Sequence, residues 1–423
     1  MQDNQICGID IGSTKIATII AVKPNNEEKL RVIGFNVTKS KGVKKGLIVD
    51  IDQVTEAVEQ SLEKTERMIG KKLSSAYVSV GGPHISSLNS HGVVAVTDPQ
   101  GEISNEDLER VIEAERAISL SNTKQIIEVI PRCFIVDGQT GIKNPIGMSG
   151  VRLEVETHII TASLTNLKNL DRCLSDLGIN NNGFIFSGLA SAETVLTDTE
   201  KELGVVLVDI GGGKTDICLY EDGSLAYSCS IPIGAKHITN DIAVGLRVSL
   251  DSAEKIKIFL SKKFKNNNNE ETERLSDIDL SQLNLPEHIT ESSTRTIIDG
   301  IIGARIEEIY KLIGEEIEKS GYANSIPSGL VITGGGALTT GMIEIGRKTL
   351  GLPIRIGQPE NITGLIDEII DPQYSSTVGL ISYGRKNIIE RDQGILKFNK
   401  IFKDFSFGNT IGKLKNIIKQ FIP

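Results

Sequence analysis

Short apolar runs bounded by glycine, proline and polar clusters alternate along the chain with longer segments whose apolar residues recur every three or four positions. That alternation predicts α/β layers. Ile6–Ile9 and Ile16–Val22 read as strands around a Gly-Ser-Thr turn. Val54–Ile69 reads as a helix stopped before Gly70, and Ala76–Val80 as a strand broken by Gly81-Gly82-Pro83. From Ile85 to about Ile160 the composition changes, and we read an inserted small subdomain there. Within it Ser104 and Asp107 have capping-box spacing, and Gln125–Ile130 and Val151–Ile160 are strand-like. Val205–Val208 and Leu330–Ile332 are unbroken apolar runs of the buried-strand type. Thr239–Leu246, Ser252–Leu260 and Ile297–Ile317 have helical periodicity. Asn266–Asn269 reads as a solvated loop, and a linker is expected from about Arg391.

With 423 residues the chain is long enough for two cores. It has no run of eighteen apolar residues, and its first residues lack the basic and apolar regions of a signal peptide. A net charge of −9 argues against a general nucleic-acid binder. Five scattered cysteines without a CxxC pair argue for a reducing cytosol, with Cys7 and Cys218 as small buried hydrophobes. The five histidines (His84, His91, His158, His237, His288) show no metal-ligand spacing.

Self-similarity carries the most information. Ile6–Ala21 reads ICGIDIGSTKIATIIA and Val205–Tyr220 reads VVLVDIGGGKTDICLY. Asp10, Gly12 and Lys15 match Asp209, Gly211 and Lys214 in register. A tight turn between two strands points backbone N–H groups into one concavity, which suits phosphate oxygens. Gly12, Gly211, Gly212 and Gly213 are expected to supply positive φ and to keep side chains clear of a ligand. Ser13 and Thr14 add hydroxyl donors, and Lys15 and Lys214 are expected to neutralise phosphate charge. Asp10 and Asp209 make sense there if a hydrated Mg²⁺ lies between them and the phosphates. A third run, Gly334-Gly335-Gly336 after Leu330–Ile332, suggests close approach of a flat ligand such as adenine with its ribose. Neither GxGxxG nor GxxxxGK[ST] occurs in these loops, which sets aside Rossmann and P-loop readings.

The end of the chain differs from its body. Leu396 to Pro423 holds six lysines, one aspartate and five of the eleven phenylalanines. Ile411, Leu414, Ile417, Ile418, Phe421 and Ile422 fall on an arc of about 140° of a helix, with Lys413, Lys415 and Lys419 towards its rim and beyond. An apolar face with a lysine rim is the pattern of an in-plane membrane helix on anionic lipid. Half-burying six large side chains yields about 6 kcal/mol before ordering costs, so one such tail binds marginally and several linked tails bind stably.

Two phosphate hairpins and a late triple glycine, in this order, resemble the actin, Hsp70 and sugar-kinase superfamily. Within it, VGGPHISSLNSHGVV (Val80–Val94), GIKNPIGMSGVRLEVETHIIT (Gly141–Thr161), FSGLASAETVLT (Phe186–Thr197) and IPIGAKHITNDIAVGL (Ile231–Leu246) resemble the FtsA family of bacterial cell-division proteins. The resemblance covers nearly the whole chain. It implies an actin-like two-lobed α/β fold of duplicated ribonuclease H-like domains, with an inserted small α+β subdomain and a C-terminal amphipathic helix. The implied division is 1–83, 161–197 and 357–390 for the first large subdomain, and 84–160 for the self-associating insert. Residues 198–236 and 300–356 then form the second large subdomain and 237–299 the small one, before a linker at 391–408 and a membrane helix at 409–423. It further implies ATP and Mg²⁺, filaments of the chain itself, the C-terminal tail of the tubulin-like protein FtsZ as partner, and recruitment of later division proteins. The location implied is the cytoplasmic face of the inner membrane at the division site.

By position Glu254 and Lys257 match superfamily ribose and adenine contacts, with a solvated helix face as the alternative. Arg305 matches a position used for FtsZ, though a surface pair with Glu308 reads equally well. Hydrolysing relatives often carry Glu-Pro where this chain has Ser187-Gly188, so slow hydrolysis is expected at most. A small-molecule kinase, a pilus-assembly adaptor and a chaperone are the competing readings. The first two need no terminal amphipathic helix of their own, and the chain lacks a chaperone's β domain.

Overall fold

The apolar runs fold into two sheets of like topology and a smaller third one. A computed structural model describes residues 5–24, 29–264, 277–287, 291–365 and 369–392. The proposed linker beyond 392, the membrane helix and Asn266–Asn269 lie outside the described residues.

In chain order the first lobe starts with β1 (Gln5–Ile11), β2 (Lys15–Val22) and β3 (Leu30–Lys39), an antiparallel meander whose central residues are almost wholly buried. A small ribbon of β4 (Val43–Lys44) and β5 (Leu47–Ile48) follows. The Ile51–Ile69 helix comes next, capped by the Asp50 carboxylate on Gln53 N–H and ended by left-handed Gly70. It starts three residues before the expected Val54, at Ile51, which continues the three-residue apolar spacing directly after the Asp50 cap. Strand β6 (Ser75–Val80) then lies parallel to β1.

The insert follows. Strands β7 (Ser86–Ala95), β8 (Lys124–Val136), β9 (Gln139–Ile142) and β10 (Arg152–Ser163) form an antiparallel sheet in the order β7-β10-β8-β9. The Asn105–Arg116 helix joins β7 to β8, and its capping box of Ser104 and Asp107 is formed. The pattern missed β7 and β9 because they are half-exposed and polar. Strand β11 (Asn180–Phe186) returns to β6, completing the first sheet with β19 (Ile362–Gly364) in the order β11-β6-β1-β2-β3-β19.

The second lobe repeats the scheme. Strands β12 (Val205–Ile210), β13 (Thr215–Glu221) and β14 (Ser224–Ile231) are the meander, and β17 (Leu330–Thr333) runs parallel to β12 with β18 (Ile354–Ile356) beyond it. A two-stranded ribbon, β15 (Asp277–Asp279) with β16 (Glu291–Ser293), lies between. One core fills the first lobe and runs on through Val205, Leu207, Cys218, Tyr220 and Val331 onto one face of the second sheet, and a second core fills that sheet's other face. The expected Ile297–Ile317 helix is two pieces, a π-helical Thr296–Gly303 and an α-helical Ala304–Ser320. Side-chain periodicity does not distinguish one extra residue per turn.

The insert is rooted in the first lobe but also docks on β14 through alternate residues of that strand. Ser224 Oγ donates to Arg132 O, Asn89 Nδ2 to Ala226 O, Ser87 Oγ to Ser228 O, and Gly82 N–H to Ser230 Oγ. His158 sits in this seam, 2.6 Å from Asn89 Oδ1 and 2.8 Å from Ser228 Oγ. Burial pushes its imidazole down to about 3, with Arg132 adding to the effect, so it stays neutral. Residues 1–384 form one compact unit, and 385–423 a second of which only 385–392 are described. Among the described residues no helix is long and apolar enough to cross a membrane.

Candidate functional site

The two matched loops have the same local geometry. Gly12 N–H donates to Lys15 O at 3.0 Å, and Gly211 N–H to Lys214 O at 3.0 Å. None of Gly12, Gly211, Gly212 and Gly213 has positive φ, contrary to the expectation from the motif. Close approach explains the glycines instead. A Cβ on Gly212 would collide with the Thr14 side chain, and one on Gly213 would lie 2.8 Å from Ser13 Oγ. The loops of the two lobes therefore face each other at van der Waals distance.

The second loop is pinned from behind. Ala235 and Lys236 N–H, opening the Ala235–Leu246 helix, donate to Gly211 O and Gly212 O at 2.9 and 2.8 Å. Lys236 Nζ crosses to Ser13 O at 2.6 Å. The N–H groups of Ser13, Thr14, Gly212 and Gly213 meet no protein acceptor among the described residues. Four such donors on facing loops fit an oxyanion.

Behind each loop stands its aspartate. Asp10 accepts from Ser79 Oγ (2.6 Å), Ser376 Oγ (3.4 Å) and Thr377 Oγ1 (3.3 Å), the last two on the first turn of the Ser375–Asp392 helix. Asp209 accepts from Ser191 Oγ at 2.6 Å. Burial, with repulsion from Asp216, pushes the Asp209 carboxyl up to about 6. Among the described residues no three acidic, histidine or cysteine side chains gather to hold a cation directly. Two separate carboxylates beside a phosphate site do fit Mg²⁺ held through water, since this ion keeps much of its hydration and takes phosphate oxygens as ligands.

Both lysines have protein partners. Lys15 Nζ donates to Gln373 O at 2.5 Å and lies 4.0 Å above the Tyr374 ring, and burial pulls its ammonium down to about 8 against the pull of Asp10 and Asp209. Lys214 Nζ donates to Ser187 Oγ at 2.5 Å and to Asp216 Oδ2. Its side chain runs past Gly46 and Gly81 of the first lobe, where any Cβ would strike it. Ser187, at the Ser187–Val195 helix start, also donates to Asp216 Oδ2 at 2.6 Å.

Asp216 is a site residue the motif comparison missed. The signal was present: in the cross-strand register Asp216 faces Asp209, where the first copy has Ala17 facing Asp10. Comparing only matching positions hides a carboxylate gained at one that differs.

The triple glycine needs no ligand to explain two of its members. Gly334 has φ 82°, and a Cβ there would strike Asp209 Oδ1, while one on Gly336 would strike Ile210. Gly335 alone is open, with Gln373 Cβ 3.6 Å away. Lys257 is not on a solvated face: it is buried, donating to Glu254 Oε2 (2.8 Å) and Thr239 Oγ1 (2.9 Å), with Glu254 half-exposed beside it. Arg305 makes the Glu308 pair and adds a two-pronged bond to Asp241 at 2.5 and 2.9 Å, which fixes its guanidinium. Ser13, Thr14, Gly212 and Gly213 thus meet at the facing loops with Asp10 and Asp209 behind them, Glu254 and Lys257 pack on the Ala235–Leu246 helix that pins the second loop, and Arg305 reaches that helix at Asp241.

Comparison with known proteins agrees over the whole chain. A model of the SHS2 domain inserted in FtsA matches residues 82–161, and a model of cell division protein FtsA matches 206–379. Cell division protein FtsA of Borreliella burgdorferi is 38% identical over 419 residues, 99% of this chain and 98% of the relative. That of Bacillus subtilis is 36% identical over 388 residues, 92% of this chain and 85% of the relative. Among solved structures, a PilM-PilN type IV pilus biogenesis complex aligns with TM-score 0.62 at 13% identity, covering 90% of this chain and 98% of that one. MreB 5 of Spiroplasma citri bound to AMPPNP aligns with TM-score 0.55 at 13% identity, covering 94% and 100%. The structural likenesses show the actin-like fold alone.

Proposed function

The chain belongs to the FtsA family of cell-division proteins, and from that membership we propose that it is an ATP-bound scaffold joining the division ring to the membrane. The observation that carries the nucleotide half is the set of four open N–H donors on facing loops, with Asp10 and Asp209 behind them. Those donors would hold the phosphates, Asp10 and Asp209 would hold Mg²⁺ through its water to offset phosphate charge, and Glu254, Lys257 and Gly335 would border the nucleoside. The MreB neighbour binds AMPPNP on the same fold.

The membrane half rests on the tail sequence, with Ile411, Leu414, Ile417, Ile418, Phe421 and Ile422 in lipid and the lysines at phosphate headgroups. Self-association, through the insert among other surfaces, multiplies weak tails into stable attachment. The FtsZ C-terminal tail and later division proteins complete the set of partners. Arg305 takes part in the FtsZ contact only if an acidic partner displaces Asp241 or Glu308. The subdomain boundaries given above are the proposed division of labour. A pilus-assembly adaptor shares the fold, but the family relationship and the tail favour the division role.

Liposome co-sedimentation with and without ATP tests the tether, comparing the full chain with one ending at Gly408. We expect the full chain to pellet with anionic vesicles and the shortened chain to stay in solution. Equal pelleting would sink the tether. Equilibrium binding of a fluorescent ATP analogue tests the nucleotide half independently, and failure of the full chain to bind it in Mg²⁺ would sink that half.

A further inference from the structure

The ribbon of β4 and β5 ends in a turn that carries strain. Val43 pairs with Ile48 and Lys44 with Leu47, which leaves Lys45-Gly46 as a two-residue turn. Both residues have positive φ, 51° for Lys45 and 78° for Gly46. That is the arrangement of a type I′ turn, whose first position favours asparagine, aspartate or glycine. A lysine there crowds its Cβ against the backbone, a cost that asparagine largely avoids. Such strain persists where surrounding contacts over-determine it, and it gathers at functional sites.

The surrounding contacts come from both lobes. Gly46 N–H donates to Ser13 Oγ of the first loop at 3.0 Å. Lys45 N lies 3.1 Å from where a Cβ on Gly213 of the second loop would stand. On another side, a Cβ on Gly46 would lie 2.2 Å from Gly81 O, and one on Gly82 2.8 Å from Lys45 O. The turn is therefore wedged where Ser13 and Gly213 meet, beside two of the four open N–H donors.

Charge singles out the side chain. Lys15, Lys214 and Lys236 each donate to a protein acceptor in this region. Lys45 is exposed and has no ion-pair or hydrogen-bond partner among the described residues. Its flexible four-carbon stem starts at the junction of the two loops and ends in a point charge suited to phosphate oxygens. We infer that Lys45 is a further phosphate-binding residue of this site, its ammonium closing over the phosphate chain of a bound nucleotide while the strained turn fixes where the stem begins. Lys44, the last residue of β4, is equally exposed and unpaired among the described residues, so it shows what a neighbouring surface charge does by itself.

This rests on the nucleotide reading above, and binding and folding are measured separately. Equilibrium binding of fluorescent ATP and ADP analogues in Mg²⁺, and thermal unfolding without nucleotide, are compared in the parent, Lys45→Asn, Lys45→Arg and Lys44→Asn. We expect Lys45→Asn to relax the turn and unfold at or above the parent's temperature, while its ATP affinity falls about tenfold and its ADP affinity less. A chain that is no less stable yet binds less does not owe the loss to damage. Lys45→Arg keeps the charge and is expected to bind nearly as the parent does, and Lys44→Asn to bind as the parent does. Parental ATP affinity in Lys45→Asn overturns the proposal. An equal loss in Lys44→Asn overturns it too, since the effect is then one of general surface charge. Should Lys45→Asn fail to fold, Lys45→Gln carries the same test. A parent that binds neither analogue overturns the underlying reading instead.

Discussion

The two loops are near-duplicates in sequence and share one closing hydrogen bond, yet the lobes use them differently. The first is built on hydroxyls. Asp10 sits among Ser79, Ser376 and Thr377, and Lys15 rests against Gln373 and Tyr374. The second is built on buried charge: Asp209 is opposite Asp216, and Lys214 reaches into the other lobe to Ser187. One added carboxylate changed what the same lysine does. A duplicated motif therefore fixes backbone geometry more firmly than it fixes the work of its side chains.

The sharpest test of that asymmetry removes the added carboxylate. Asp216→Ala strands the Lys214 ammonium in a buried setting and should cost about 3–5 kcal/mol in thermal or chemical unfolding. Nothing in the first loop offers an equivalent, since Ala17 occupies the matching place.

Exchanging the aspartates tests the comparison next. With the folded carboxyl of Asp209 raised to about 6, the folded protein holds a proton that the unfolded chain has lost, so stability falls as pH rises through that value. Asp209→Asn removes the loss, and without nucleotide it should stabilise the protein at pH 7 by roughly 2–3 kcal/mol, a gain that shrinks towards pH 4. Asp10→Asn, which weakens three hydroxyl bonds, should not stabilise. Matching pH–stability profiles for the two variants would erase the distinction.

Loop contact gives a smaller effect. Gly212→Ala should cost about 1–3 kcal/mol by forcing Thr14 aside and should weaken nucleotide binding. Adding Thr14→Ala should recover part of the loss, and additive effects in that cycle would mean the loops do not touch. Smallest of all is Lys15→Met, which gives up a hydrogen bond and a ring contact in its own lobe, for about 1 kcal/mol.

Much of the fold was legible because burial leaves a period. The runs Val205–Val208 and Leu330–Ile332 could only be central strands, and the Ser104 and Asp107 cap stood in the letters. Strands β7 and β9 were not legible because half-exposed strands carry no strong alternation. In the site the aspartates, glycines and lysines of the motif could be named, but the glycines' purpose could not. Gly212 is small because Thr14, nearly two hundred positions away, lies against it.

The sequence by itself determined the duplication, the residue types of the loops and the family, because these reside in residue types and spacings within short windows. It also carries the amphipathic tail, whose pattern is local. Only the tertiary structure decided that the two loops meet, that the insert hangs on β14, and that Lys214 spends its charge on Asp216. Those facts depend on which distant segments share a few ångströms, and pairwise burial and hydrogen bonding, not local periodicity, select them.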